Sequence, residues 1–138
     1  MKAKLVVATG AGLFLAAIPI LAHHAFAAEF DSLKPITLKG TFTKMDWINP
    51  HSWVHFEVKA ADGKVVIWRA ETPPPNGLYR QGWRRDSLKQ GDEIAVEGFL
   101  AKDGSPAMWA RSVTTPDGRR LFAGSADSAP GAPPTPNQ

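Results

Sequence analysis

The chain has no cysteine among its 138 residues. This absence excludes a disulfide framework, a thiol nucleophile and a thiolate metal site. The usual catalytic patterns are missing too: the sequence contains no G-x-S-x-G, P-loop, G-x-G-x-x-G or H-E-x-x-H motif. We therefore predict that the protein is not an enzyme.

There is little net charge once the N-terminal segment is set aside. The full chain has 16 Lys and Arg against 13 Asp and Glu, and removal of Lys2 and Lys4 leaves 14 against 13. The basic character thus owes much to the N-terminus, and we predict no nucleic-acid partner. We interpret the basic stretch Arg80–Arg85 as a solvated helix face.

The one long apolar run, Leu5–Leu21, lies near the N-terminus. Lys2 and Lys4 precede it, which is the arrangement of a secretory signal peptide. The run is marginal in length for a membrane span, and Pro19 weakens it further as an anchor. We predict a signal peptide over residues 1–22, export to the periplasm and no permanent membrane anchor.

Three positions fit cleavage of this leader. Ile20-Leu-Ala22 and Ala25-Phe-Ala27 both place a small residue before the cut, and Phe26-Ala-Ala28 is a weaker third site that would also remove both histidines. Cleavage after Ala22 makes His23 the first residue, whereas cleavage after Ala27 removes His23 and His24. The leader pattern alone favours neither.

Alternating polarity predicts a mostly β domain. Apolar residues at every second position indicate strands, and Asp62-Gly63 and Asp103-Gly104 indicate tight turns between them. A short helix capped by Asn76 is expected between the third and fourth strands. The predicted strands begin near Ile36, Val54, Val65, Ile94 and Ala107. This order is that of a five-stranded OB-fold-like barrel, with a small β-sandwich as the alternative.

The domain boundaries follow from composition. Residues 23–35 form an N-terminal arm after the signal peptide, and residues 36–122 form the OB-like β domain. Residues 123–138 are rich in Ala, Pro, Gly and Ser and have little to bury, so we predict a disordered tail.

Histidines suggest a metal site. The α-amine and ring Nδ1 of an N-terminal His23 can chelate one ion, and His24 or His51 can supply a third nitrogen. Nitrogen-rich sites suit Cu(II); Zn(II) is the second candidate, with Glu29 or Asp31 as an oxygen ligand. The alternative is that paired histidines near a processing site are only exposed, mobile side chains.

The second strand has an unusual outer face. If Val54 and Phe56 point to the core, then Trp53 and His55 share the opposite face with His51 near its start. His51 and His55 would be about 13 Å apart, too far for one ion. This face is either a ligand surface or secondary packing under another segment.

Aromatic residues suggest a second function. Trp47 and Trp109 flank loops that border the usual ligand face of an OB barrel, and Trp53 and His55 lie between them. An envelope interaction module could use this surface to bind a protein, peptide or small ligand without metal. That is the alternative to a non-enzymatic Cu(II)-binding protein.

Four segments resemble a family of small exported bacterial proteins catalogued as a domain of unknown function. The segments are His23–Asp31, Trp47–Trp53, Arg85–Asp92 and Asp117–Gly124. The family pattern has His-His-Ser/Ala-Phe after the leader, so the resemblance implies cleavage after Ala22. Its Asn-Pro-His segment implies a role for His51 rather than His55. The resemblance implies a compartment and a fold, but no reaction.

Overall fold

The computed structural model describes residues 26–124 of the chain. The predicted signal peptide, His23 and His24 lie outside the described residues, as does the predicted tail from residue 125 onward. Within residues 26–124, no helix is long and apolar enough to cross a membrane.

The described part is mostly β, as predicted. A helical segment covers residues 26–29. The elements that follow are β1 (Phe30–Asp46), β2 (Ser52–Lys59), β3 (Val65–Thr72), α1 (Pro75–Arg80), β4 (Glu93–Ala101), β5 (Ala107–Thr114) and β6 (Arg120–Phe122). The predicted helix between the third and fourth strands is present, and a short sixth strand follows the five that were expected.

Helix α1 begins differently from the prediction. Its first residue is Pro75 and it has no side-chain cap, so Asn76 lies inside the first turn and does not cap the helix. Proline is well suited to this position because its fixed φ is helical and its missing N–H would have no partner there.

The strands form one sheet that closes into a ring. Hydrogen-bonded neighbours follow the order β3-β2-β1-β4-β5-β6, and all these pairs are antiparallel. A parallel pairing of β3 with β5, from Arg69↔Ala107 to Glu71↔Trp109, joins the two sides. The ring therefore runs through β1, β2, β3, β5 and β4, and β6 lies outside it on β5.

The core lies inside the ring and follows the period of two. On β2, Val54 and Phe56 are fully buried while their neighbours face outward. A close approach of β4 and β5 requires glycine at position 98, because a Cβ there would lie 1.8 Å from the carbonyl oxygen of Trp109. Gly98 thus fixes how near Trp109 comes to β4.

The N-terminal segment packs on the outside of the ring. Strand β1 begins at Phe30 rather than at the expected Ile36, and its register with β4 shifts between Phe30 and Pro35. Phe26 and Phe30 are buried with Phe99 in a second apolar cluster, separate from the main core. Burial of these two rings explains why the chain is ordered before Ile36.

Candidate functional site

A row of side chains crosses five strands on the outer face of the ring. The registers pair Phe99 with Trp109, Trp109 with Glu71, Glu71 with Trp53, and Trp53 with Asp46. We call these five residues the outer row. The row exists only because β3 pairs with β5, which brings Glu71 between two tryptophans.

Glu71 is a buried carboxylate that contacts a histidine. Its Oε1 lies 2.7 Å from Nδ1 of His51, with 8% of the Glu71 side chain and 46% of the His51 side chain exposed. Burial raises the pKa of Glu71 from 4.5 to about 7; the nearby Glu29 carboxylate adds to this rise, and Arg69 opposes it. The contact at Nδ1 leaves Nε2 of His51 as the ring atom available to a ligand.

Residues 26–29 are held beside the outer row. The Phe26 ring meets the Trp109 ring edge-on at 5.2 Å. The backbone N–H of Lys102 donates to the Glu29 carbonyl at 2.9 Å, and the Lys102 ammonium donates to the Ala27 carbonyl. Residues 26–29 are therefore fixed next to Trp109, the strand neighbour of Glu71.

No metal-binding cluster is complete within residues 26–124, where no group of three or more His, Asp or Glu side chains could hold an ion. Of the two predicted oxygen ligands, Glu29 is close enough to Glu71 for its negative charge to raise the pKa of Glu71. Asp31 instead faces Lys34, with 3.6 Å between Oδ2 and Nζ. A metal site at His51 would thus need ligands from outside the described residues.

His51 and His55 contact different carboxylates. His55 Nε2 lies 2.8 Å from Asp46 Oδ2, and this histidine is largely covered, with 19% of its side chain exposed. Hydrogen bonds from Lys44 and His55 lower the pKa of Asp46, with Lys44 the larger cause. His51 thus contacts the middle residue of the outer row, whereas His55 contacts Asp46 at one end of it.

The three candidate tryptophans do not share one surface. Trp53 and Trp109 lie on either side of Glu71, and Trp109 is covered by Phe26. Trp47 stacks on Tyr79 of α1 with 5.4 Å between ring centroids, and the Arg85 guanidinium lies over its ring. Packing against α1 therefore accounts for Trp47.

A cleft of about 420 Å³ opens beside Trp53. Its walls come from residues before β1, from the outer faces of β2 and β3, and from the β4–β5 turn. The lining residues are Ala28, Glu29, Phe30, Trp53, Arg69, Ala101, Lys102, Asp103, Ser105 and Ala107.

Sequence reasoning missed Arg69, Glu71, Lys102 and Asp103 as site residues. Arg69 and Glu71 alternate with Ala70, which is the core-facing residue between them. That alternation places them on the outer face, but no local signal shows that Glu71 is buried there. The burial depends on the distant partners Trp109 and Trp53.

Comparison with known proteins identifies the family. The model of the "Family of unknown function (DUF6152)" matches residues 11–109. The chain belongs to DUF6152. Every residue of the outer row lies within this match, so the row is built from the part of the chain that has the DUF6152 pattern. The predicted resemblance to an uncharacterised family is confirmed, whereas export and the individual motifs remain predictions.

Other comparisons add little about this DUF6152 protein. A search of curated proteins found no match. One similar solved structure is titled "Crystal structure of tRNA fluorescent labeling enzyme", with 17% identity and a TM-score of 0.40. The alignment covers 59% of this chain and 17% of that one. At this similarity it supports no argument about fold or function.

Proposed function

We propose that this protein is an exported, periplasmic, non-enzymatic binding protein that binds Cu(II) through His23, His24 and His51. Its scaffold in this proposal is an OB-like barrel of five strands, supported by the ring of β1, β2, β3, β5 and β4 with a helix between β3 and β4.

The observation that carries the proposal is the packing of Phe26 on Trp109. Trp109 is the strand neighbour of Glu71, and Glu71 contacts His51. His24 precedes Phe26 by two residues, so their Cα atoms are at most about 7 Å apart. In this proposal the mature N-terminus would therefore leave the ring beside Trp109, the strand neighbour of the carboxylate that His51 contacts.

The contact between His51 and Glu71 supports His51 as a ligand. Metal-binding histidines commonly donate their second ring N–H to a carboxylate, which fixes the tautomer and makes the free nitrogen more basic. Glu71 can accept that hydrogen bond from Nδ1 at the observed 2.7 Å. Nε2 would then bind the ion.

The donor set favours Cu(II) over Zn(II). An N-terminal His23 would supply its amine and ring nitrogen, and His24 and His51 would add imidazoles. Copper(II) prefers nitrogen donors and tops the affinity order of the divalent first-row ions. Zn(II) is the second candidate, with Glu29 as its oxygen ligand.

The test begins with the mature N-terminus. The full-length precursor is expressed with its leader in a bacterium, and intact mass of the periplasmic protein should show His23 as the first residue. Cu(II) titration by calorimetry should then give one equivalent, with nitrogen couplings in the electron paramagnetic resonance spectrum. An N-terminus at Ala28, or no stoichiometric binding, would overturn the proposal.

Two variants make the test specific. His51→Ala should weaken Cu(II) binding by at least about 10-fold. His55→Ala is the matched control, because that histidine lies on the same strand face but contacts Asp46 instead of Glu71. Equal Cu(II) affinity in the His51→Ala protein and the wild type would exclude His51 as a ligand.

A further inference from the structure

We propose that the cleft beside Trp53 binds a zwitterionic small molecule, either a free amino acid or a short peptide with free ends. His51, the described residue among the proposed Cu(II) ligands, and its partner Glu71 do not line the cleft. The proposed binding does not depend on copper.

Arg69 provides the recognition of a carboxylate. Its guanidinium lies 4.9 Å from the centre of the Trp53 ring, which holds the planar group in place. Within the part of the chain that the structure describes, no residue forms a salt bridge or side-chain hydrogen bond with this guanidinium. A pre-positioned guanidinium facing a cleft matches a carboxylate through two parallel hydrogen bonds.

The cleft also contains negatively charged side chains, opposite in sign to Arg69. Glu29 and Asp103 line it together with Arg69 and Lys102, so two carboxylates face two cations. Hydrogen bonds from Ser105 lower the pKa of Asp103, which keeps this carboxylate ionised. The Lys102 ammonium donates one of its N–H groups to the Ala27 carbonyl, which holds it at the wall of the cleft, whereas the Arg69 guanidinium offers its planar fork to a ligand.

The presence of both carboxylates and cations in the cleft determines which class of ligand it can bind. Glu29 and Asp103 would repel a polyanion such as nucleic acid, and Arg69 would repel a simple cation. A molecule with an ammonium and a carboxylate a few ångströms apart satisfies both signs. Its carboxylate would bind Arg69 and its ammonium would face the acidic side chains.

The walls and size fit such a ligand. Trp53 gives the cleft its exposed aromatic surface, since Phe30 also lines it but is only 4% exposed, and alanines at positions 28, 101 and 107 keep it open. A volume of about 420 Å³ lies within the range of small-molecule sites. An apolar side chain of the ligand would pack against Trp53.

Calorimetric titration of the mature protein with a chelator present tests the ligand class. The probes are phenylalanine, the dipeptide Ala-Phe, N-acetyl-Ala-Phe and Ala-Phe amide. The free dipeptide or phenylalanine should bind, and each blocked dipeptide should bind about 10-fold more weakly, because each loses one charge-assisted contact. The stronger of the two unblocked probes identifies an amino acid or a peptide as the source.

Variants locate the binding in the cleft. Arg69→Gln should lower the affinity for the unblocked ligand by about 10-fold. Arg69→Lys should recover only part of this affinity, because lysine lacks the planar fork of the guanidinium. Arg111→Gln is the matched control, since Arg111 lies over the Phe99 ring at 5.9 Å but does not line the cleft. Circular dichroism checks that each variant is folded.

Three results would overturn the proposal. The first is an amide that binds as well as the free acid. The second is an equal loss of affinity in the Arg69→Gln and Arg111→Gln proteins. The third is no heat of binding from any unblocked probe at millimolar concentration.

Discussion

At the scale of single residues, Glu71 is a carboxyl group whose burial opposes its ionisation. The side chain is 8% exposed, and its partner His51 lies at the edge of the ring with about half of its side chain exposed. Burial favours the protonated carboxyl, whereas the positive charge of the nearby Arg69 favours the carboxylate. The stability of the metal-free protein should therefore depend on pH through this residue.

The direction of this pH dependence follows from the raised pKa of Glu71. The folded protein keeps a proton on Glu71 up to about pH 7, whereas the unfolded chain loses it near pH 4.5. Between these values the folded state binds more protons, so stability falls as pH rises. The full shift corresponds to about 3 kcal/mol.

Replacing Glu71 with Gln should remove this dependence. Urea denaturation of the chelator-treated protein at pH 5 and pH 8 gives the free energy of unfolding for wild type and Glu71→Gln. The difference between the two pH values should shrink in the variant. Glu57→Gln is the control, because Glu57 lies on the outer face of β2 but is exposed. An unchanged pH dependence in Glu71→Gln would show that another group controls it.

Much of the local structure could be predicted from the sequence, residue by residue. Predicted bounds for the fifth strand, Ala107 to Thr114, are those of β5, and Gly63 and Gly104 both adopt positive φ in the expected turns. Each of these features depends on neighbours in sequence. Burial of Glu71 could not be predicted, because its partners Trp53 and Trp109 lie on other strands.

At the scale of elements, the helical segment 26–29 links the predicted leader to the ring. It is attached by the Phe26 ring and by two hydrogen bonds to Lys102. Sequence periodicity assigned this region to an arm, since alternation of polar and apolar residues begins only at Ile36. The four-residue spacing of Phe26 and Phe30 was the available signal for its packing.

Phe26→Ala should detach the segment without unfolding the ring. Phe26 belongs to the outer cluster with Phe30 and Phe99, not to the main core, so its loss frees the chain start locally. Under the Cu(II) proposal, affinity for the ion should fall, because the N-terminal nitrogens are no longer held near His51. Hydrogen exchange of residues 26–34 and Cu(II) calorimetry measure the two effects.

Phe122→Ala is the control for this prediction. Phe122 is also aromatic, but it is 56% exposed on β6 and does not belong to the cluster of Phe26, Phe30 and Phe99. It should leave both exchange and Cu(II) affinity unchanged. If Phe26→Ala increases exchange of the segment while Cu(II) affinity stays at the wild-type value, the tether is not needed for the site.

At the scale of the whole molecule, the ring is closed over only part of β3. Pairing with β5 covers Arg69 to Glu71, whereas Val65 to Trp68 pair with β2 alone among residues 26–124. Closure could not be derived from the sequence, because the β3–β5 register joins residues almost forty positions apart and no local pattern records it. The order of strands and helix only suggested a ring.

This incomplete closure leaves an apolar strand edge. Val65 and Ile67 are 58% and 63% exposed, and the free backbone groups beside them can pair with another chain. We expect the protein to self-associate weakly at high concentration through this edge. Ile67→Lys should reduce the association, because a charge on the edge opposes strand addition, while the free energy of unfolding changes by about 1 kcal/mol or less.

Sedimentation equilibrium over a range of concentrations measures the association. Ile48→Lys is the matched control, since Ile48 is similarly exposed at 52% but lies in the loop between β1 and β2, where there is no strand edge to extend. Equal association in the two variants would contradict a role for the β3 edge. A reduction confined to Ile67→Lys would show that the protein associates where its ring stays open, because only this variant places a charge beside the unpaired backbone of β3.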